Sequence, residues 1–187
     1  MYNKKRRFHK MNYNDLATKA HENAVKHGFW ETNVSNKHCL MLVFTEIAEM
    51  VEADRKGIDA DIEAFEKYES RIAFDENFER HIKNTLEDEM ADIAIRLFDL
   101  AGARGIDFDI MFPYYICRNF RQFSFTENAF DLVKGLCRDG IGIEKRIQFG
   151  LDFVTKWAQE LNIELPFFVA QKMRYNVMRP YRNGKRY

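Results

Sequence analysis

Residues 42–54 read LVFTEIAEMVEAD, and residues 86–101 read LEDEMADIAIRLFDLA. In both stretches the apolar residues recur every three or four positions, which predicts amphipathic helices. Each stretch also carries two carboxylates three residues apart. The pairs are Glu46 with Glu49 and Glu89 with Asp92. Because successive residues of a helix turn by about 100°, these acids lie beside the apolar stripe of each helix and not opposite to it.

The core-facing residues of the two helices follow from the same spacing. The stripes comprise Leu40, Val43, Phe44, Ile47 and Val51 in the first helix, and Leu86, Met90, Ile93, Leu97 and Leu100 in the second. Arg96 and Asp99 continue the row of Glu89 and Asp92 along the second stripe. We expect Arg96 to orient a carboxylate and not to contact phosphate.

Two helices of this kind can pack with their acid pairs facing each other. Four neighbouring carboxylates repel one another unless a cation lies among them. Oxygen ligands without His or Cys suit Mg²⁺, or Mn²⁺, and not zinc. A Mg²⁺ site with open positions is completed by water and by substrate phosphates. The alternative is that both pairs belong to solvated helix faces, where acids at this spacing are common.

The rest of the sequence also predicts helices. With 3 Pro and 9 Gly in 187 residues, long stretches are uninterrupted. The expected helices run from Asn14-Asp15 to Gly28, from Ser35-Asn36 to Lys56-Gly57, over 79–104, over 107–120, from Thr126 to Gly140, over 142–161 and from Pro166 to Arg179. Residues 58–78 are expected to hold a short helix with a loop. The predicted fold is an all-α helical bundle in a single domain over 1–187.

The composition of the chain excludes several classes of protein. A hydrophobic content of 46% with 17 Phe excludes disorder. Lys+Arg and Asp+Glu are both 29, so charge gives no indication of nucleic acid or membrane as a partner. Residues 1–12 predict a basic tail without a secretory signal, and no apolar run is long enough to span a membrane. The three cysteines (Cys39, Cys117 and Cys137) lack CxxC spacing, which is typical of reduced thiols in a cytoplasmic protein.

Four segments together resemble the all-α NTP pyrophosphatase superfamily of MazG-like type. They are HENAVKHGFWE (21–31), LVFTEIAEMVEADRKG (42–57), LEDEMADIAIRLFDLAGARGID (86–107) and QKMRYNVMRPYRNGKRY (171–187). The resemblance implies a four-helix core with ExxE on one helix and ExxD on the next. Residues 58–80 and 108–170 would then be insertions on that core. The Phe- and Tyr-rich residues 112–125 could enlarge the core, form a dimer surface or cover the base as a lid, and we expect an enlarged core together with a dimer surface.

The resemblance also implies an activity, which is Mg²⁺-dependent hydrolysis of nucleoside triphosphates (NTP or dNTP) to the monophosphate and pyrophosphate. The implied role is nucleotide-pool house-cleaning by a homodimer or higher oligomer. Glu46, Glu49, Glu89 and Asp92 would be the metal ligands. Glu49 or Glu46 would take the proton of the attacking water.

Substrate contacts are expected from the last helix. Lys172, Asn176 and Arg179 fall on one helical face, where the cations suit phosphate oxygens. The alternative is a solvated basic helix end. Tyr175 would stack on a base or pack in the core, and Trp30 would line the base pocket or act as a hydrophobic plug. The competing interpretation of the whole chain is a non-catalytic helical module that binds nucleotides or proteins.

Overall fold

The computed structural model describes residues 11–184 and residue 186. Most of the predicted basic tail, and Lys185 and Tyr187 of the C-terminal segment, lie outside the described residues. Within them the fold is all-α, as predicted, with eight α-helices and no strand. The helices are α1 (Tyr13–Lys26), α2 (Asn36–Lys56), α3 (Ile62–Tyr68), α4 (Phe74–His81), α5 (Leu86–Ala103), α6 (Phe125–Leu136), α7 (Ile143–Glu160) and α8 (Leu165–Met178). None of these helices combines the length and hydropathy needed to cross a membrane.

Helix α5 is the centre of the bundle and packs against α1, α2, α7 and α8. Its predicted apolar stripe is buried, and Met90, Ile93, Leu97 and Leu100 have no exposed surface. Burying each such side chain stabilises the fold by about 1.5–3 kcal/mol. Gly102 lets α1 approach closely, because a Cβ there would lie 2.5 Å from the carbonyl oxygen of Ala17. The acids of α5 are therefore carried by a rigid element.

Helix α2 begins and ends where the sequence predicts. The Ser35 hydroxyl caps its first turn, and Gly57 ends it with a φ of 65°, a conformation that glycine adopts without strain. The helix runs antiparallel to α5, since Arg104 at the end of α5 donates to Asn36 at the start of α2. The two glutamates of the ExxE segment of α2 therefore lie beside the first turns of α5.

The prediction of one helix over 79–104 is wrong. The helix α4 ends at His81, and α5 starts only at Leu86. Asn84 has a φ of 62°, which asparagine tolerates and which interrupts a helix. Thr85 then caps α5 by accepting from the backbone N–H of Asp88. Residues 58–81 hold two short helices, where the sequence predicts one with a loop.

The prediction of a helix over 107–120 is also wrong. Only two 3₁₀ turns form near its ends, at Phe108–Ile110 and at Phe120–Gln122. Pro113 has no backbone N–H to give to a helix. Arg118 holds the segment by donating to the side chain of Asn128 at 2.7 Å.

The aromatic residues of this segment divide into two groups. Phe120 is buried against Phe153 and Trp157, so part of the segment enlarges the core as expected. Phe112 and Tyr115 are 92% and 89% exposed. That such exposed rings form a dimer surface stays a prediction.

Helix α7 shows that residues 108–170 contribute to the central packing. Its residues Ile147, Leu151 and Val154 are buried. Gly150 brings the helix against Leu97 of α5, because a Cβ at that position would lie 2.9 Å from the leucine side chain. That this segment and residues 58–80 are insertions on an older core stays a prediction.

Candidate functional site

Three of the four predicted ligand acids converge. One carboxylate oxygen from each of Glu46, Glu49 and Glu89 lies within 4.8 Å of the other two. Glu46 and Glu89 are 4% and 3% exposed, whereas Glu49 is open to solvent. Because α2 and α5 run antiparallel, the ExxE and ExxD segments lie face to face. The cluster therefore combines two buried acids with one accessible acid.

The environment of the cluster disfavours its negative charge. Burial, with the nearby charge of Asp92, raises the pKa of Glu89 to about 8. Burial also raises the pKa of Glu46, although the adjacent Arg96 acts against this shift. Arg96 donates to Glu46, so it orients a carboxylate as the sequence predicts. The second oxygen of Glu89 is buried and has no hydrogen-bond partner among the described residues.

These observations fit a divalent cation. Mg²⁺ and Mn²⁺ prefer carboxylate oxygens and keep open positions for water or phosphate. A cation between the three acids would relieve their repulsion and would give the unpartnered oxygen of Glu89 a ligand role. Glu46, Glu49 and Glu89 are the residues that could hold it.

The fourth predicted ligand, Asp92, lies beside the cluster and has a different partner. Its Oδ2 is 2.7 Å from Nζ of Lys172, which is also 2.7 Å from Oδ2 of Asp88. Asp88 has no exposed surface. Burial raises the pKa of Asp88 to about 6 against the effect of Lys172. Burial alone would favour a neutral amine at Lys172, but Asp92 and Asp88 outweigh it and raise its pKa.

The sequence predicts a phosphate contact for Lys172 and no role for Asp88. In the structure the Lys172 ammonium neutralises two carboxylates at the edge of the acid cluster. The sequence does contain a signal for Asp88. In LEDEMAD it lies four residues before Asp92, so the two acids share a helical face.

The acids line one wall of a pocket of about 630 Å³, a volume typical of small-molecule sites. All the predicted substrate residues also line it, namely Trp30, Lys172, Tyr175, Asn176 and Arg179. The guanidinium of Arg179 forms no ion pair with any residue that the structure describes. The side-chain oxygen of Asn176 is buried and lacks a partner in the same part of the chain. Arg179, whose guanidinium lies 5.9 Å from the centroid of the Tyr175 ring, thus lines the pocket without an acidic partner in the described part of the chain, and Asn176 contributes a polar oxygen that still lacks a hydrogen bond there.

Tyr175 and Trp30 have structural partners as well as pocket surface. The Tyr175 ring stacks on Phe78 at a centroid distance of 4.5 Å, and its hydroxyl donates to Glu79. This is the packing alternative that the sequence left open. The Trp30 indole N–H donates to Asp99 at 2.9 Å. Both rings are therefore held in place before any ligand arrives.

The loop after α1 is joined to the chain after α8, which closes one side of the pocket. Arg182 donates from its backbone to the carbonyl oxygen of His27 at 2.9 Å and from its side chain to that of Gly28 at 3.1 Å. It also pairs with Glu31 at 3.0 Å. Nε2 of His27 lies 3.0 Å from the carbonyl oxygen of Arg179. These bonds fix the two segments that carry Trp30 and Arg179.

Comparisons of the chain with family models, with curated proteins and with solved structures find no match. The residues of the pocket and the four sequence segments are therefore what indicates a function. Those residues offer a cluster of oxygen ligands, a guanidinium without an ion pair to the described residues and a partly apolar cavity. This combination can bind a divalent cation together with a phosphorylated organic molecule.

Replacing Glu89 with glutamine should stabilise the metal-free protein at alkaline pH. The carboxyl of Glu89 has its pKa raised from 4.5 to about 8 in the folded chain. Folded protein therefore holds a proton that the unfolded chain releases between these values, and stability falls as pH rises through that window. Above pH 8 the full penalty is present, and the glutamine variant should be about 2–4 kcal/mol more stable.

Urea unfolding in EDTA at pH 5, 7 and 9 measures this difference. Glu22→Gln, at an exposed position of α1, is the matched control and should show the same small difference at every pH. A stability difference for Glu89→Gln that does not grow with pH would contradict the prediction.

Proposed function

We propose that this chain is a Mg²⁺-dependent nucleoside triphosphate pyrophosphohydrolase, which cleaves an NTP or dNTP to the monophosphate and pyrophosphate. The observation that carries the proposal is the convergence of Glu46, Glu49 and Glu89 within 4.8 Å, on the wall of a pocket that also presents Arg179. A metal-bound polyphosphate is complementary to both features. The position of cleavage, between the α- and β-phosphates, comes from the sequence resemblance.

Glu46, Glu49 and Glu89 are the proposed ligands, with Asp92 beside them. When bound, Mg²⁺, or Mn²⁺ in its place, supplies charge neutralisation at the phosphates and lowers the pKa of water. The chain itself fixes the geometry. Arg96 donates to Glu46, and Lys172 holds Asp92 at 2.7 Å. These contacts fix the orientation of the Glu46 and Asp92 carboxylates.

The proton of the attacking water needs an acceptor within hydrogen-bond reach. Glu46 is committed to Arg96, which leaves Glu49 as the better proton acceptor of the two candidates. Glu49 is exposed to the pocket and makes no hydrogen bond to the described residues. A carboxylate in this position can pass the proton on to solvent.

The phosphates and the sugar are assigned to α8 and to Arg179, which directly follows that helix. Arg179 donates charge-assisted hydrogen bonds to phosphate oxygens. Lys172 contributes positive charge next to the acids, although its ammonium is committed to Asp88 and Asp92. The unpartnered oxygen of Asn176 can accept from a sugar hydroxyl.

The proposed biological role is the removal of non-canonical or excess nucleotides in the cytoplasm. The free thiols of Cys39, Cys117 and Cys137 suit a reducing compartment. Assembly as a homodimer or higher oligomer is supported by the exposed rings of Phe112 and Tyr115, since large exposed apolar side chains are typical of contact surfaces.

Pyrophosphate release from a panel of NTPs and dNTPs, with Mg²⁺ and with EDTA, tests the proposal. We expect equal amounts of pyrophosphate and nucleoside monophosphate, and no product in EDTA. Release of inorganic phosphate would place the cleavage elsewhere and contradict the proposal. Tight nucleotide binding without any product would favour the non-catalytic module.

A further inference from the structure

We propose that Asp99 selects nucleotides whose base carries an exocyclic amino group. The inference rests on the proposed function, because it takes the acid cluster as the polyphosphate end of the pocket. Asp99 lines the same pocket as the cluster, and nothing in the proposed hydrolysis uses it. Its position, its fixed orientation and its free oxygen each support a role at the base.

The position follows from the two helices that form the pocket wall. Asp99 comes seven residues after Asp92 on α5, which places it on the same face about 10 Å further along the axis. Helix α2 is antiparallel, so Leu42 and Cys39 lie in the same direction from Glu49 and Glu46. The pocket thus has an acidic end and an opposite, more apolar end that carries Asp99. The separation is comparable with the span of a nucleoside from its 5′ phosphate to the outer edge of its base.

The orientation of the Asp99 carboxylate is fixed by two contacts to the same oxygen. Trp30 Nε1 donates to Oδ1 at 2.9 Å, and Nδ1 of His21 lies 2.9 Å from that atom. The other oxygen, Oδ2, has no hydrogen bond to the described part of the chain, and the side chain is 23% exposed. Arg96, the nearest arginine along α5, is paired with Glu46. Asp99 therefore lines the pocket with a carboxylate of fixed orientation, whose Oδ2 is an acceptor without a partner among the described residues.

An ionised carboxylate can accept hydrogen bonds but cannot donate them. Adenine, cytosine and guanine each offer an amino N–H on their outer edge. Their deaminated counterparts, hypoxanthine, uracil and xanthine, have a carbonyl oxygen at the same position, which would face Oδ2 of Asp99 as a second acceptor. When Oδ2 of Asp99 faces such a carbonyl oxygen, both oxygens have given up water and neither gains a hydrogen bond, which weakens binding.

Matched pairs of triphosphates that differ only in this group test the inference. The pairs are ATP with ITP, CTP with UTP, and GTP with XTP. For the wild-type protein, kcat/KM should favour the amino-bearing member by roughly ten- to a hundredfold in the pairs that are hydrolysed. Asp99→Asn supplies an amide that can donate to a carbonyl oxygen, so the ratio should fall to about one or reverse.

Two further variants make the comparison secure. Asp139→Asn, at an exposed position between α6 and α7, should leave all three ratios unchanged. His21→Leu removes one of the two contacts that orient Asp99 and leaves the Asp99 carboxylate in place, so it should lower the ratio only in part. A wild-type preference for the deaminated member, or ratios that Asp99→Asn leaves unchanged, would overturn the inference.

Binding of the same pairs, measured by calorimetry in the presence of Ca²⁺, separates this inference from the proposed function. If no nucleotide is hydrolysed but the amino-bearing members bind more tightly, and Asp99→Asn removes the difference, the hydrolase proposal fails and the assignment of Asp99 stands. Binding without any difference within the pairs overturns the assignment of Asp99. Absence of both turnover and binding overturns both proposals.

Discussion

Glu49→Gln should lower the rate of metal-dependent pyrophosphate release by roughly a hundredfold or more, while the melting temperature of the metal-free protein stays the same. The side chain of Glu49 is exposed and makes no hydrogen bond to the described residues, so the fold gains nothing from it. Its carboxylate is nevertheless one of three clustered oxygens and the better placed proton acceptor. Substitution by the isosteric amide removes the charge and preserves the shape.

Glu52→Gln is the matched control, since Glu52 lies three residues further along α2 and pairs at the surface with Arg55 and Lys56. It should retain full activity. Mg²⁺ should raise the melting temperature of the wild type and of Glu52→Gln but not that of Glu49→Gln. Full turnover by Glu49→Gln, with an intact metal response, would show that the cluster is not the reactive centre.

Lys172→Met should lower the free energy of unfolding by about 3–5 kcal/mol at pH 7, because it leaves buried carboxylates without their cation. The Lys172 ammonium lies 2.7 Å from both Asp88 and Asp92. Methionine has a similar length and fills the space with an apolar chain, so the loss reports on charge and not on volume. Equilibrium urea unfolding measures it.

Acidification should reduce this loss. The pKa of Asp88 is raised from 3.8 to about 6 even with Lys172 present, and removal of the cation raises it further. At pH 5 the folded variant therefore holds Asp88 in the neutral form, and its burial costs less. As pH rises above about 6, the wild-type Asp88 loses its proton while that of the variant does not, so the variant becomes less stable relative to the wild type from there upward.

Two controls distinguish the buried ion pair from a general loss of positive charge. Lys156→Met removes a surface cation that pairs with Glu160 and should change stability by less than about 1 kcal/mol. The double variant Asp88→Asn with Lys172→Met should regain most of the lost stability. A loss that is the same in the single and double variants would contradict an origin in the Asp88 charge.

The elements that the sequence predicts correctly carry their signals locally. Helix α2 has a Ser35 cap and a Gly57 stop within its own stretch, and α5 has an apolar stripe that needs only the period of 3.6 residues. The convergence of Glu46, Glu49 and Glu89 follows from those two helices once they are antiparallel. Local spacing was therefore enough for the acidic end of the pocket.

The errors arise where a single residue or a distant partner decides the structure. The break before α5 depends on the positive φ of Asn84 and the cap at Thr85, both inside a pattern that otherwise continues. The extended chain before α6 depends on Arg118 reaching Asn128. Pairing of Lys172 with Asp88 joins helices far apart in sequence, and the shared face of Asp88 and Asp92 on α5 does not by itself show which cation they meet.

Asp88 and Lys172 are separated by 84 positions, and this separation has a consequence during synthesis. At 5 to 20 residues per second, a ribosome exposes α5 roughly 4 to 17 seconds before it exposes Lys172. In that interval α1, α2 and α5 are available for packing, but the carboxylate at their centre has no cation. Asp88 stays hydrated or protonated until α8 emerges. The nascent bundle therefore completes its core and its acidic centre in the same late step.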